Sequence, residues 1–205
     1  MPRPDLRELV APGHTALVLQ EVQRGVVGDQ SALPALAEAL RNSGGIDNIA
    51  RLVVAARTAS VPVVHATAAG LPGRFGANQN ARLFKGVRSL GDASDTGAAP
   101  LPEVGPEPGD IVLPRYHGLS PMTGSQLDSL LRNEGVSTVV VVGVSLNVAI
   151  PNLVFDAVNR SYQVVVVRDA VAGVPDGYGE QILENSLSLV STLAAADDVI
   201  AAWSS

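Results

Sequence analysis

A tight turn and the start of a helix, within residues 143–150, carry the groups best placed for chemistry. Gly143 and Ser145 form the turn, and the apolar residues that follow it fall at helical spacing. The backbone N–H groups at the start of this helix belong to Asn147, Val148 and Ala149. Unpaired N–H groups at a helix N-terminus bind carboxylate or carbonyl oxygens, so we expect a small-molecule site here.

Two apolar runs position this turn. Residues 139–142 are four consecutive valines, and residues 163–167 form a second run, QVVVV. Unbroken β-branched runs are typical of strands covered on both faces in a parallel sheet. Strand, turn, helix and strand make a βαβ unit, and ligands of such sheets bind beyond the C-terminal ends of the strands.

The remaining elements complete a three-layer α/β/α domain. Further strands are predicted at residues 15–22, 61–66, 110–113 and 199–203, the last at the sheet edge, and helices at residues 32–40, 46–59, 80–87, 124–133 and 177–195. We expect residues 1–205 to form one domain, with residues 1–13 as an N-terminal arm. Residues 70–108 are rich in glycine and proline and are interpreted as a flap over the crevice.

The valine-rich unit also resembles a known family. The chain reads VVVVGVSLNVAI from residue 139, then a helix containing FDA, then VVVVRDA from residue 164. This pattern is similar to that of the isochorismatase-like (cysteine hydrolase) family. The resemblance covers about residues 14–203 and implies about six mostly parallel strands. It also implies a non-proline cis peptide bond near Val144 and Ser145.

The resemblance further implies a triad of an aspartate after the first strand, a lysine ending the third, and a nucleophilic cysteine. The matching positions in this sequence are Glu21, Leu113 and Ala149, and the chain contains no cysteine. A methyl group cannot attack a carbonyl carbon, and an isobutyl group cannot carry charge. Amide hydrolysis through a thiolate at residue 149 is therefore excluded.

A nucleophile-free reaction remains open. Isochorismatases, which the chain resembles, hydrolyse a vinyl ether, and such a bond is cleaved when a carboxylic acid protonates carbon and water adds. Glu21 beside apolar Leu113 is the candidate general acid, because burial raises a carboxyl pKa. The alternative is that Glu21 caps a helix or pairs with an arginine in a pseudoenzyme that binds a ligand or serves assembly. A retained pocket around Glu21 and His117 favours the enzyme; a pocket filled by Leu113, Leu119 or Met122 favours the pseudoenzyme.

His117 is the second catalytic candidate, because a histidine can act as acid or base near neutral pH. It follows Arg115 and Tyr116, although a lone loop histidine is commonly a surface residue. The resemblance implies a set of substrate-binding residues: Gln23, Arg115, Tyr116, Ser145, Asn147 and Val148. Lys85, the only lysine, is a candidate replacement cation. His65 lacks a second ligand at useful spacing, so no metal and no cofactor are expected.

The composition of the chain narrows the classes of partner that the protein is expected to bind. The net charge is −6, and no cluster of arginines offers a face for nucleic acid. No apolar run approaches the ~20 residues that span a bilayer, and the N-terminus lacks the apolar core of a signal peptide. We therefore predict a cytoplasmic protein that binds a small molecule. Relatives in the resembled family commonly form dimers or tetramers, so a homo-oligomer is expected, with residues 199–203 as a compatible apolar edge.

Overall fold

Six strands form one sheet in the computed structural model, which describes residues 5–86 and 96–204. Every pair of neighbouring strands is parallel, and the order across the sheet is β3-β2-β1-β4-β5-β6. The strands are β1 (Thr15–Gln20), β2 (Val63–Ala68), β3 (Ile111–Arg115), β4 (Thr138–Val144), β5 (Gln163–Ala172) and β6 (Thr192–Ala194). The predicted α/β class and the six-stranded parallel sheet are confirmed.

The helices connect and cover the strands. In chain order they are α1 (Leu6–Leu9), α2 (Arg24–Val27), α3 (Pro34–Asn42), α4 (Gly45–Thr58), α5 (Arg82–Gly86), α6 (Pro121–Gly124), α7 (Leu127–Asn133), α8 (Ala149–Asn159), α9 (Tyr178–Asn185) and α10 (Ala196–Trp203). In the described part of the chain, no helix is both long enough and apolar enough to cross a membrane.

Two apolar clusters lie on opposite faces of the sheet, because successive strand residues point to opposite sides. Leu17 and Val140 belong to one cluster, which α3, α4 and α10 cover. Val18 and Val141 belong to the other, which α7, α8 and α9 cover. The central strands are buried on both faces, which explains why their sequences show no polar alternation.

The strand order reverses between β1 and β4. From β1 the chain continues to β2 and β3 on one side, whereas β4, β5 and β6 follow on the other. Connections therefore diverge at the C-terminal ends of β1 and β4, and a crevice opens between them. Gly143 allows this close approach: its φ is +104°, and a Cβ there would lie 2.2 Å from the carbonyl oxygen of Gln20.

The C-terminal region differs from the sequence prediction. The helix predicted over residues 177–195 ends at Asn185, and the chain then forms β6, which pairs with β5. The edge strand predicted at residues 199–203 is wrong, because these residues belong to α10. Val199 and Trp203 face the core, and the Trp203 indole N–H donates to the Val10 carbonyl at 2.8 Å. They therefore offer no exposed apolar edge to a second copy.

The predicted arm and the predicted flap lie partly outside the described residues. The structure does not describe residues 1–4 of the arm or residues 87–95 of the flap. The last residue of the helix predicted at residues 80–87 therefore also lies outside the described residues. Within residues 5–13, α1 packs against α10, and Leu9 and Val10 are buried. This part of the arm is thus tied to the core by apolar contacts.

Candidate functional site

A pocket of about 520 Å³ opens at the C-terminal ends of β1, β3 and β4. Its lining includes the two catalytic candidates Glu21 and His117, as well as Ala149. The apolar part of the wall comes mainly from α3 and from the segment before the undescribed residues, and it includes Leu33, Leu36, Ala69, Leu83 and Phe84. Of the three residues whose filling of the pocket would favour the pseudoenzyme, Leu113 and Met122 pack with one of the core clusters, whereas Leu119 lines the pocket.

Glu21 lies directly after β1 with a left-handed backbone φ of 54°. Its backbone N–H donates to the Ala66 carbonyl at 2.9 Å, which fixes the residue at the end of the sheet. The side-chain oxygen Oε1 accepts from Gln20 Nε2 at 2.9 Å and from Arg115 Nη2. The second oxygen, Oε2, accepts no hydrogen bond from the residues that the structure describes, so it is the oxygen available for proton transfer.

Burial raises the pKa of Glu21 above its ordinary value, while the charge of Arg115 and the hydrogen bonds from Gln20 and Arg115 oppose that rise. The Glu21 side chain is 15% exposed and that of Arg115 is 8% exposed, so the pair sits in a poorly solvated environment. Glu21 consequently keeps its proton to a higher pH than an exposed glutamate does. The sequence left open a second role for Glu21, in which it pairs with an arginine, and the structure contains such a pair with Arg115.

Arg115 supplies the cation next to Glu21. It is the last residue of β3 and lies two positions after Leu113, so both side chains project from the same face of the strand. Its Nη1 donates to the Gly118 carbonyl, and its Nη2 reaches Glu21. Lys85, the candidate replacement cation, is exposed on α5 and does not line the pocket.

The start of α8 forms the opposite wall. The Val144–Ser145 peptide bond is cis, as the resemblance implied. The Ser145 carbonyl accepts from the N–H groups of Val148 at 3.2 Å and of Ile150 at 3.0 Å. Among the described residues, no carbonyl accepts from the N–H groups of Asn147 and Ala149, although both residues line the pocket. Two N–H groups near the N-terminus of α8 are thus available to an oxygen of a ligand.

The remaining predicted binding residues divide into two groups. Tyr116, Ser145, Asn147 and Val148 line the pocket together with Arg115. The Asn147 side chain, however, bonds both polar groups of Val174, and so it holds the loop after β5.

Gln23 does not line the pocket. Its side chain is fully buried, its Nε2 donates to the carbonyls of Ala68 at 2.9 Å and Gly97 at 3.0 Å, and its Oε1 accepts from the Ala68 N–H at 2.7 Å. The structure therefore gives Gln23 a role in joining β2 to the segment around Gly97.

His65 lies away from the pocket in a buried polar cluster. Its Nε2 is 3.2 Å from Asp110 Oδ2, and Asp110 also pairs with Arg57. Burial lowers the pKa of His65, so the ring is neutral near neutral pH, while the contact with Asp110 opposes that effect. No group of three metal-ligating side chains occurs among residues 5–86 and 96–204.

Several lining residues carried no motif that sequence reasoning could use. Arg74, Asn78 and Phe84 come from the predicted flap, and Leu33 and Leu36 come from the region of α3. The glycine and proline content of the flap indicated that it covers the crevice, but no spacing distinguished these residues within it. Their approach to the pocket depends on long-range packing.

Comparison with known proteins agrees with this fold. The Isochorismatase domain family model matches residues 15–197. A ureidoacrylate amidohydrolase RutB of Pseudomonas savastanoi pv. phaseolicola is 29% identical over 212 residues, which cover 94% of this chain and 85% of that protein.

Two solved structures have the same architecture. An isochorismatase family protein from Burkholderia thailandensis has a TM-score of 0.78 at 25% identity, covering 95% of this chain and 97% of that one. A cysteine hydrolase from Pseudomonas syringae pv. phaseolicola has a TM-score of 0.82 at 22% identity, covering 100% and 99%. The fold and the crevice therefore define an α/β protein of the isochorismatase-like hydrolase class. This chain belongs to the isochorismatase domain family.

Proposed function

We propose that this protein hydrolyses a small molecule without a covalent intermediate, using Glu21 as the general acid. The observation that carries the proposal is an open pocket around a buried carboxyl in a chain that has no cysteine, and one oxygen of that carboxyl accepts no hydrogen bond from the described residues. The pocket is open and lined by polar groups although the position implied for the nucleophile is Ala149.

The chemistry follows from the residues around Glu21. The proton on Oε2 is transferred to the terminal carbon of a vinyl ether, and the ether carbon becomes an oxocarbenium ion. Water adds to that carbon, and the resulting hemiketal breaks into a ketone and an alcohol, while the carboxylate of Glu21 regains a proton from the water. Arg115 stabilises the carboxylate that forms after the first transfer, because its charge lies next to Oε1. A carboxylate or carbonyl of the substrate accepts from the N–H groups of Asn147 and Ala149.

The proposed substrate class follows from the chemistry that is open to a site with a general acid and no nucleophile. The relative from Pseudomonas savastanoi pv. phaseolicola is an amidohydrolase, and the same activity would require a different attack on the amide in this chain, which has no cysteine. Protonation of an amide leaves carbonyl attack to water alone, whereas a vinyl ether needs only a proton on carbon. A vinyl ether, with an apolar body against Leu36 and Phe84, is therefore the substrate class that we favour.

His117 is proposed as an auxiliary acid or base. It lines the same pocket but is exposed, so water reaches its ring freely. This position suits a residue that exchanges protons with solvent after the reaction. It is less suited to protonating the vinyl ether carbon, which is the first step and takes place at the buried end of the pocket. The experiment below therefore tests His117 and Glu21 separately.

Turnover of a panel of vinyl ethers, amides and esters tests the proposal. Glu21→Gln keeps the hydrogen bonds to Gln20 and Arg115 possible but removes the proton, and we expect it to abolish vinyl ether hydrolysis. Glu134→Gln, an exposed substitution after α7, is the matched control and is expected to leave turnover unchanged. Turnover that persists in Glu21→Gln and is lost in His117→Gln would transfer the acid role to His117.

A second candidate is a pseudoenzyme that binds a small ligand. The observation in its favour is the Glu21–Arg115 ion pair, because a carboxylate held by an arginine serves binding and stability as well as catalysis. Absence of turnover across the panel, combined with ligand-induced stabilisation that Arg115→Met removes, would support this function in place of the first.

The proposed assembly comes from the family resemblance, and the proposed location comes from the composition of the sequence. We propose a single domain that forms a dimer or tetramer in the cytoplasm. Light scattering of the purified protein determines the mass in solution, and a monomer at all concentrations would refute the oligomer.

A further inference from the structure

Asn78, in the predicted flap, bonds directly to the loop after β3. Its side-chain Oδ1 accepts from the backbone N–H of Gly118 at 2.6 Å, and its Nδ2 donates to Asn80 Oδ1 at 3.3 Å. Arg74, Leu83 and Phe84 line the pocket from the same segment of the chain. A ligand in the pocket therefore contacts the segment that carries Asn78.

Gly118 is held from both sides of its backbone. Its N–H donates to Asn78, and its carbonyl accepts from Arg115 Nη1. Its φ is +73°, a left-handed conformation in which glycine is unstrained. The N–H and the carbonyl belong to the two peptide planes that meet at Gly118, so the two bonds together restrain the backbone that holds Arg115.

The same guanidinium reaches the candidate acid. Arg115 Nη2 donates to Glu21 Oε1, while Nη1 donates to Gly118. A planar guanidinium presents these donors in a fixed geometry, so a rotation at one of them moves the other. A continuous chain of hydrogen bonds therefore runs from Asn78 through Gly118 and Arg115 to Glu21.

We propose that Asn78 is a positioning residue that couples the flap to the orientation of Arg115 and Glu21. Contact between a ligand and the flap strengthens the bond to Gly118, which holds Arg115 against Oε1 and leaves Oε2 directed to the substrate. Loss of the bond from Asn78 frees the N–H of Gly118 and weakens the restraint on Arg115. The inference deepens the proposed function, since it assigns the flap a role in setting the protonation of the general acid.

The test follows the Glu21 carboxyl directly and does not require turnover. The protein is labelled with ¹³C at the glutamate carboxyl carbons, and the Glu21 resonance is assigned by its loss in Glu21→Gln. Asn78→Ala is compared with Gln79→Ala, an exposed neighbour in the same loop. We expect Asn78→Ala to raise the Glu21 titration midpoint by about half a pH unit or more, because an unfixed Arg115 stabilises the carboxylate less. Gln79→Ala is expected to leave the midpoint unchanged.

Hydrogen exchange of the Gly118 amide provides the second measurement. Exchange that is at least ~10-fold faster in Asn78→Ala shows that the bond has been lost. An unchanged Glu21 midpoint alongside faster Gly118 exchange would overturn the coupling, and so would unchanged exchange. If the wild-type protein turns over no substrate but the midpoint shifts, the proposed function fails while the coupling stands.

Discussion

The ion pair between Arg115 and Glu21 can be tested by removing its cation. The result distinguishes a buried, coupled pair from an incidental surface contact. Arg115→Met removes the charge and both hydrogen bonds while keeping an unbranched apolar chain of similar reach. Because the two side chains are only 8% and 15% exposed, the variant leaves a carboxyl buried without its cation. Removing one partner of a buried pair costs about 3–5 kcal/mol of unfolding free energy. We expect a loss at the lower end of that range, because Gln20 still donates to Glu21.

The loss depends on pH, and its sign follows from the Glu21 pKa. Burial raises this pKa in the folded protein, so the folded state binds a proton more tightly than the unfolded state does. Stability is therefore highest below the unfolded pKa and falls as pH rises through the folded pKa. Without Arg115 the folded pKa rises further. The destabilisation by Arg115→Met is accordingly smaller at about pH 5 than at about pH 8.

Urea unfolding followed by the fluorescence of Trp203 measures these quantities. Trp203 is the only tryptophan in the chain, and its indole is buried in the core, so its emission reports loss of packing. Glu21→Gln alone is expected to cost about 1–3 kcal/mol, since a charged hydrogen bond becomes neutral. The double variant should lose about 1–3 kcal/mol less than the sum of the single variants. Additive losses, or a loss from Arg115→Met that is equal at both pH values, would refute a buried coupled pair.

Three further predictions concern Gly143, the buried polar cluster around His65, and the pocket position Ala149. Gly143→Ala, in which a Cβ would meet a carbonyl oxygen at 2.2 Å, should cost at least ~2 kcal/mol more in urea unfolding than Gly109→Ala, whose φ is similar at 109° but whose Cβ meets nothing within 4 Å. Burial lowers the His65 pKa, so wild-type stability should fall as pH drops below the unfolded histidine pKa; His65→Leu should flatten that dependence, and an unaltered slope would contradict it. Ala149→Cys should place the only thiol of the chain in the pocket, where iodoacetamide alkylates it in the folded protein, as mass spectrometry can determine; a thiol that reacts only in urea would contradict an accessible position.

The valine runs made most of the sheet predictable. Four consecutive valines at residues 139–142 and a second run ending at Val167 have no polar face, so burial on both sides is the only stable arrangement for them. Helical spacing likewise predicted α3 and α4 closely. The C-terminal region was not predictable in the same way, because residues 192–194 are too short to show a period, and they form a strand only by pairing with β5.

The candidate site was predictable only at its centre. The turn from Gly143 to Ser145 and the start of α8 follow directly from the order of strand and helix. Glu21 was found because it matches the family pattern after the first strand. Asn78 gave no signal, since a single asparagine in a loop has no period and its partner Gly118 lies 40 residues away.

By itself, the sequence determined the α/β class, the parallel sheet and the exclusion of thiolate chemistry, because burial patterns and the absence of cysteine are local properties of the chain. Only the tertiary structure decided that the pocket stays open and that Leu113 belongs to the core. It also decided that Arg115 provides the cation next to Glu21. These features depend on side chains from separate strands and loops that meet at one end of the sheet, and the distances between such groups are set by packing across the whole fold.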